Sequence, residues 1–132
     1  MKFFISVLLC LFIVGCSSTN LNNSLVNKQQ AFYELVALPK TVIDKNGEKC
    51  AHAKGHIEII ENKVIGTAKD NIGRIFNISG KLNNNKNIMG GFAISEFTAV
   101  GFDGELSADG NKASGTWIDL YDCKGVWTAT KI

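Results

Sequence analysis

The connections between the apolar runs of this chain are too short for anything but antiparallel strands. From about residue 53 onward, apolar, β-branched and aromatic residues come in short runs, separated by mostly polar breaks of two to four residues. A parallel neighbour needs a crossover of a dozen or more residues, so each run has to fold back on the one before it. Runs of this kind, closed by turn-forming residues, read as strands near 53–61, 63–69, 73–81, 88–95, 97–106, 112–121 and 124–131. Asp109-Gly110 is a clear turn pair, because both residue types tolerate positive φ. The expected fold is all-β, an antiparallel meander.

Closure is suggested by the glycines. Gly66, Gly80, Gly90, Gly91, Gly101, Gly104, Gly115 and Gly125 fall inside the strand runs, where glycine weakens a flat strand and marks bulges or curvature. Curved strands joined by tight turns favour a small closed or partly open barrel, which also removes exposed edges; a β-sandwich is the alternative. Ile72, Phe76 and Ile78 are expected on one face, and Trp117 with Tyr121 opposite Ile118 and Leu120. Residues 28–38 fit two patterns. Asn27 could cap a helix with the stripe Phe32, Leu35 and Val36, or a strand could run through part of 32–43. The strand is adopted, giving seven or eight strands, with Asp44-Lys45-Asn46-Gly47 as a hairpin turn leading to Cys50.

The first residues follow a different logic. Met1-Lys2 is a short positive head, residues 3–14 are almost wholly apolar, and Ser17-Ser18-Thr19-Asn20 turns polar. That is the layout of an export signal. This twelve-residue run as a helix covers only about 18 Å, short of the ~30 Å hydrocarbon core. Ile13-Val14-Gly15-Cys16 resembles the lipobox of bacterial lipoproteins, although Ile at its first place is less usual than Leu. The resemblance covers residues 1–16 only. It implies diacylglycerol transfer to the Cys16 sulfur, cleavage after Gly15 and acylation of the new amino group. Ser17, where Asp often marks retention in the inner membrane, implies sorting to an outer membrane. Several acyl chains on Cys16 would make an effectively permanent anchor, at about 0.8 kcal/mol per buried methylene. The expected organisation is a signal peptide over 1–15, a lipidated Cys16 and polar tether over 16–30, and a barrel-like domain over 31–132.

Of the four cysteines, Cys10 leaves with the signal and Cys16 is committed to lipid. Cys50 and Cys123 remain, an even pair in an exported chain, which reads as one disulfide. Formal net charge is only +2, so a nucleic-acid footprint is missing. Lysines and Arg74 are scattered singly, with no run to bind anionic lipid.

Candidate chemistry is sparse. His52 and His56 would share a face on a helix and could hold zinc there, but in a strand their spacing separates them by about 13 Å, so neither a metal nor a cofactor is expected. Asp103, Glu105 and Asp119 supply the paired carboxylates that glycoside hydrolysis requires, or simply line a wet sheet face. No Ser stands in a nucleophile elbow and no Gly-rich phosphate loop opens a helix. Trp117 and Trp127 belong to a short echo, Gly115-Thr116-Trp117 and Gly125-Val126-Trp127. They either line a ligand mouth or pack in the core beside the disulfide. The functional expectation is a membrane-anchored envelope lipoprotein acting as a non-catalytic interaction or surface-antigen module, through a strand edge or loops such as 83–87. A lipocalin-like carrier of a small apolar ligand and an envelope glycan hydrolase are the alternatives.

Overall fold

Two-residue periodicity and short turns produce a ring of eight strands. The computed structural model describes residues 30–95 and 98–132; the expected signal peptide, Cys16 and all of the expected tether but Gln30 lie outside them. The strands are β1 (Gln30–Pro39), β2 (Ala53–Ile60), β3 (Lys63–Asp70), β4 (Ile75–Leu82), β5 (Asn87–Ser95), β6 (Thr98–Leu106), β7 (Lys112–Asp119) and β8 (Lys124–Lys131). Each pairs antiparallel with the next, and β1 pairs antiparallel with β8, from Tyr33–Lys131 to Pro39–Gly125. The barrel is closed, which excludes the sandwich. A register shift between Ala93 and Ser95 marks an irregularity in the β5–β6 pairing.

The helical alternative for 28–38 is overturned by this pairing. Tyr33, Leu35 and Ala37 are buried while Phe32, Glu34 and Leu38 are exposed, a period of two. Two face assignments also change. Ile72 precedes β4 in a turn and is exposed, leaving Phe76 and Ile78 to face inward. β7 stops at Asp119, so Tyr121 lies in the following turn and does not share the burial of Trp117.

An eight-stranded barrel has an interior just wide enough for its own side chains. Leu35, Ile57, Val64, Ile78, Ile88, Phe102 and Trp127 fill it. The outer wall carries Glu34, Lys54, His56, Lys69, Asp103 and Glu105, all exposed. A barrel that spans lipid shows the reverse alternation, apolar outside and polar inside, so this wall is built to face water.

Four turns share one device. Asp44, Asp70, Asn83 and Asp119 each accept, through one side-chain oxygen, the backbone N–H groups two and four residues ahead, at 2.7–3.1 Å. The third residue ahead takes positive φ in every case: Gly47, Gly73, Lys86 and Asp122. This is a type I turn followed by a left-handed residue, a favoured three-residue hairpin loop, held by an Asx turn.

The topology gives the barrel two unlike ends. The β2–β3, β4–β5 and β6–β7 turns lie with Gln30 and Ile132 at one, the terminal end. Residues 40–52 and the β3–β4 and β7–β8 turns lie at the other, the loop end. Residues 40–52 form a small bridged hairpin, Ile43 to Lys49. The disulfide Cys50–Cys123, expected from the sequence, ties them to the β7–β8 turn. At the terminal end the Tyr33 hydroxyl donates to the Gly110 carbonyl at 2.6 Å. Burial, and then the nearby Asp109 carboxylate, raise the Tyr33 pKa above its ordinary 10.0.

Two measurements check this account. The bridge closes a separation of 73 residues, which the chain-entropy relation values at roughly 4 kcal/mol; a Cys50→Ser/Cys123→Ser protein should unfold in urea with a loss of that order. A raised folded pKa in an acid favours its neutral form, so the Tyr33 contribution is present below pH 10.0 and is lost as pH climbs through the higher folded value. The stability difference between wild type and Tyr33→Phe should therefore hold at neutral pH and shrink in alkali.

Candidate functional site

The Gly-x-Trp echo becomes a reciprocal register once β7 and β8 pair. Trp117 stands opposite Gly125, and Gly115 opposite Trp127. A Cβ on Gly125 would sit 2.7 Å from Cε2 and Nε1 of Trp117. Similarly, a Cβ on Gly104 would come within 2.6 Å of Cζ2 of Trp127, and one on Gly90 within 2.6 Å of Cζ of Phe102. At each of these glycines the carbonyl of a neighbouring strand (Leu38, Ser114 and Ser79) comes closer still, so the inward glycines are places where both backbone and aromatic rings close in, as well as points of curvature. Trp127 donates from Nε1 to the Asp103 carbonyl at 3.0 Å and meets Phe102 edge-on, with centroids 5.9 Å apart. Both tryptophans are buried, Trp127 to 2 % exposure and Trp117 to 8 %. Trp127 is core. Trp117 lies nearer the loop end and borders the cavity there.

That cavity measures about 60 Å³ and is half-open. Ala51, Ala53, Ala68, Phe76, Val100 and Trp117 form apolar walls, and Asp70, Arg74, Asp119 and Tyr121 stand around its lip. Asp70 is 5 % exposed. Its Oδ2 accepts from Arg74 Nε at 2.6 Å while its Oδ1 holds the β3–β4 turn. The Arg74 guanidinium carbon lies 5.8 Å from the Phe76 ring centroid, and Lys45 Nζ lies 5.8 Å from that of Tyr121. Pockets suited to free small ligands run to about 300–1,000 Å³, so this one has room for part of a ligand only.

The carboxylates that a hydrolase would need are not assembled. Asp103 and Glu105 point outward from β6, and Asp103 accepts from the Thr116 hydroxyl at 2.7 Å. Asp119 continues the inward register of β7 and holds the β7–β8 turn. They lie on opposite faces of the wall. His52 precedes β2 at the loop end, and His56 is exposed on the outer face of β2. Among the described residues no three His, Cys, Asp or Glu side chains gather as metal ligands. Closure leaves the paired strands without a free edge, which removes strand addition. The 83–87 turn sits at the terminal end.

The loop end also gathers exposed apolar side chains. Leu38, Val42, Ile43, Ile72, Ile75, Ile118, Leu120 and Tyr121 belong to it, against Phe32, Ile65, Met89 and Ile132 elsewhere. Sequence reasoning missed this crown and the Asp70–Arg74 lip. The Asp70-x-x-Gly73-Arg74 spacing was the available signal, a turn that returns Arg74 to its own carboxylate.

No family model matches the chain. No curated protein matches it either. Among solved structures it is similar to the vaccine antigen Transferrin Binding Protein B from Actinobacillus pleuropneumoniae H49, in a crystal structure of a point mutant. The likeness has a TM-score of 0.56 at 11 % identity and covers 79 % of this chain. This chain spans only 62 % of that one. The shared property is the barrel.

The glycine contacts give a paired test. Gly125→Ala forces a methyl against the backbone carbonyl of Leu38 first and the Trp117 ring second, so β1 and β8 must give as well as the ring, and it should cost at least about 1–3 kcal/mol in urea unfolding, the range for overpacked cores. Gly101, exposed and with nothing within 4 Å of an added Cβ, should accept Ala at no cost, or gain up to ~1 kcal/mol.

Proposed function

We propose that this protein is a non-catalytic envelope module, acylated at Cys16 on an outer membrane, that presents the loop end of its barrel to a protein partner. The supporting observation is the distribution of exposed apolar side chains. Eight of the twelve large ones among the described residues belong to the loop end, and a concentration of exposed apolar side chains on one part of a folded domain fits an interaction site. The tether joins β1 at Gln30, at the opposite end, so an anchor at Cys16 leaves the apolar crown turned away from its own membrane. The water-facing wall fits a barrel held beside a bilayer by lipid. A partner that recognises side chains and loops is consistent with a barrel whose edges are closed. The neighbouring structure is described as a vaccine antigen and a transferrin-binding protein, which fits a binding role for this barrel architecture.

The carrier alternative is disfavoured by the 60 Å³ of the loop-end cavity, and the hydrolase by carboxylates on opposite faces of the wall. The anchor is tested by fractionation: Cys16→Ser should lose fatty-acid labelling and leave the membrane fraction, and an unchanged membrane association would refute the anchor. The presenting end is tested with photo-reactive residues in intact cells. Probes at Ile72 and Leu120 should yield the same adduct, and a probe at Asn85 should not; equal capture from both ends, or none, would refute the assignment.

A further inference from the structure

We infer that the loop-end cavity takes a neutral carboxamide, presented as an asparagine or glutamine side chain of the protein partner, whose carbonyl oxygen accepts from Trp117 Nε1. This rests on the interaction reading above and specifies its central contact. The Trp117 indole is short of one hydrogen bond. It lines the cavity and is nine-tenths buried, at 8 % exposure. Its Nε1–H is closed to solvent and has no acceptor among the described residues, although a buried donor left unpaired costs its full desolvation. Trp127, by contrast, gives its N–H to the Asp103 carbonyl. The edge of the Trp117 ring that carries Nε1 lies against the bare backbone of Gly125, and a guest in the cavity draws it inward by a turn of the ring.

The missing partner is an acceptor, and the surroundings define its kind. Charges at the mouth are balanced: Asp70 is paired with Arg74 at 2.6 Å, and Lys45 stands over Tyr121 beside Asp119. A carboxylate or an ammonium entering there would lose hydration without finding a free counter-charge. A neutral guest avoids that cost. Water is neutral but brings two donors of its own, to which Ala51, Ala53, Ala68, Phe76 and Val100 offer no side-chain acceptor; a buried water needs about two to four polar partners. A carbonyl oxygen is satisfied by the single N–H, and the carbons behind it suit the alkyl walls. Among protein side chains a neutral carbonyl occurs only in asparagine and glutamine. Their short stems fit a half-open space of about 60 Å³, which is too small for a free ligand of ordinary size. The amide NH2 then faces the lip. There Asp119 holds the turn through Oδ1, and its Oδ2 has no partner among the described residues.

The test uses the full-length protein in uncharged detergent micelles, with propionamide as the probe and propionate and propylammonium as its charged matches. Propionamide should move the Trp117 indole N–H resonance downfield to saturation, while that of Trp127 stays in place. Propionate and propylammonium should bind at least about three-fold more weakly, each having to shed hydration without a counter-charge. Replacing the Trp117 indole by its benzothiophene isostere deletes the N–H and keeps the ring. Propionamide affinity should then fall about three- to ten-fold, the net worth of one hydrogen bond. Should that protein misfold, the wild-type probe series decides. Equal affinity for the three probes, or propionamide binding that leaves the Trp117 N–H resonance in place, would overturn the proposal. So would a long-lived water at Trp117 Nε1 that propionamide fails to displace, the mark of a hydrated cavity only. If propionamide does not bind while probes at Leu120 still capture a partner, the carboxamide pocket fails and the interaction reading stands.

Discussion

Everything in this domain depends on the pairing of β1 with β8. An isolated sheet of seven strands would end in two rows of unpaired N–H and C=O groups and would bury only one face. Adding β1 between β2 and β8 pairs the edges with each other and turns an open meander into a wall around one core. The interior that results is narrow, and its residues answer that narrowness. Trp117, Trp127 and Phe102 are large, and the positions they lean on are Gly125, Gly104 and Gly90. Large rings and missing side chains are two sides of the same volume constraint in a closely packed interior.

Closure also explains where function can reside. With no edge to extend and a wall of alternating charges, the two ends are the regions left to vary. The terminal end is occupied by short turns, the Tyr33–Gly110 hydrogen bond and both chain ends of the domain. Among the described residues, the loop end has the longest connection, a half-open cavity and eight of the twelve exposed large apolar side chains. The same Asx-stabilised turn serves both ends, at Asn83 on one and at Asp44, Asp70 and Asp119 on the other. At the loop end, however, two of these carboxylates also border the cavity. A residue needed to shape a turn thus also places a carboxylate at the cavity.

How much of this was legible in the sequence follows the range of the interactions involved. The meander was legible because its turns are local; Asp109-Gly110 and Asp44 to Gly47 specify themselves within four residues. β1 was only half legible. Phe32, Leu35 and Val36 satisfy a helical spacing as well as Leu35 and Ala37 satisfy a strand, and the choice is made by β8, about ninety residues away in the chain. The glycines announced curvature, but which ring each one accommodates depends on cross-strand register, which composition does not carry. Ile72 and Tyr121 were misplaced for a related reason: each sits inside a turn held by an Asp side chain, Asp70 to Arg74 and Asp119 to Cys123, where the strand alternation is broken although apolar residues continue. The mouth was illegible, since it joins Asp70 and Arg74 to Trp117 and Asp119 through the curvature of the whole ring.

The position of the single bridge then has a physical reason. Residues 40–52 form the one long connection, with a lone bridge between Ile43 and Lys49 and a few hydrogen bonds to the β7–β8 turn, such as Lys45 N–H to the Tyr121 carbonyl at 2.9 Å. Left to those contacts, the segment would open at little cost, because local stability follows local burial and pairing. It also carries Val42 and Ile43 of the apolar crown and Ala51 of the cavity wall. A mobile loop bearing contact residues loses affinity in proportion to the order imposed on binding. Cys50–Cys123 imposes that order beforehand, fixing the loop against the turn that carries Leu120, Tyr121 and Asp122. Its location at the loop end, away from the well-paired wall, places it where the fold has least pairing of its own and where the proposed contact surface would gain most from order.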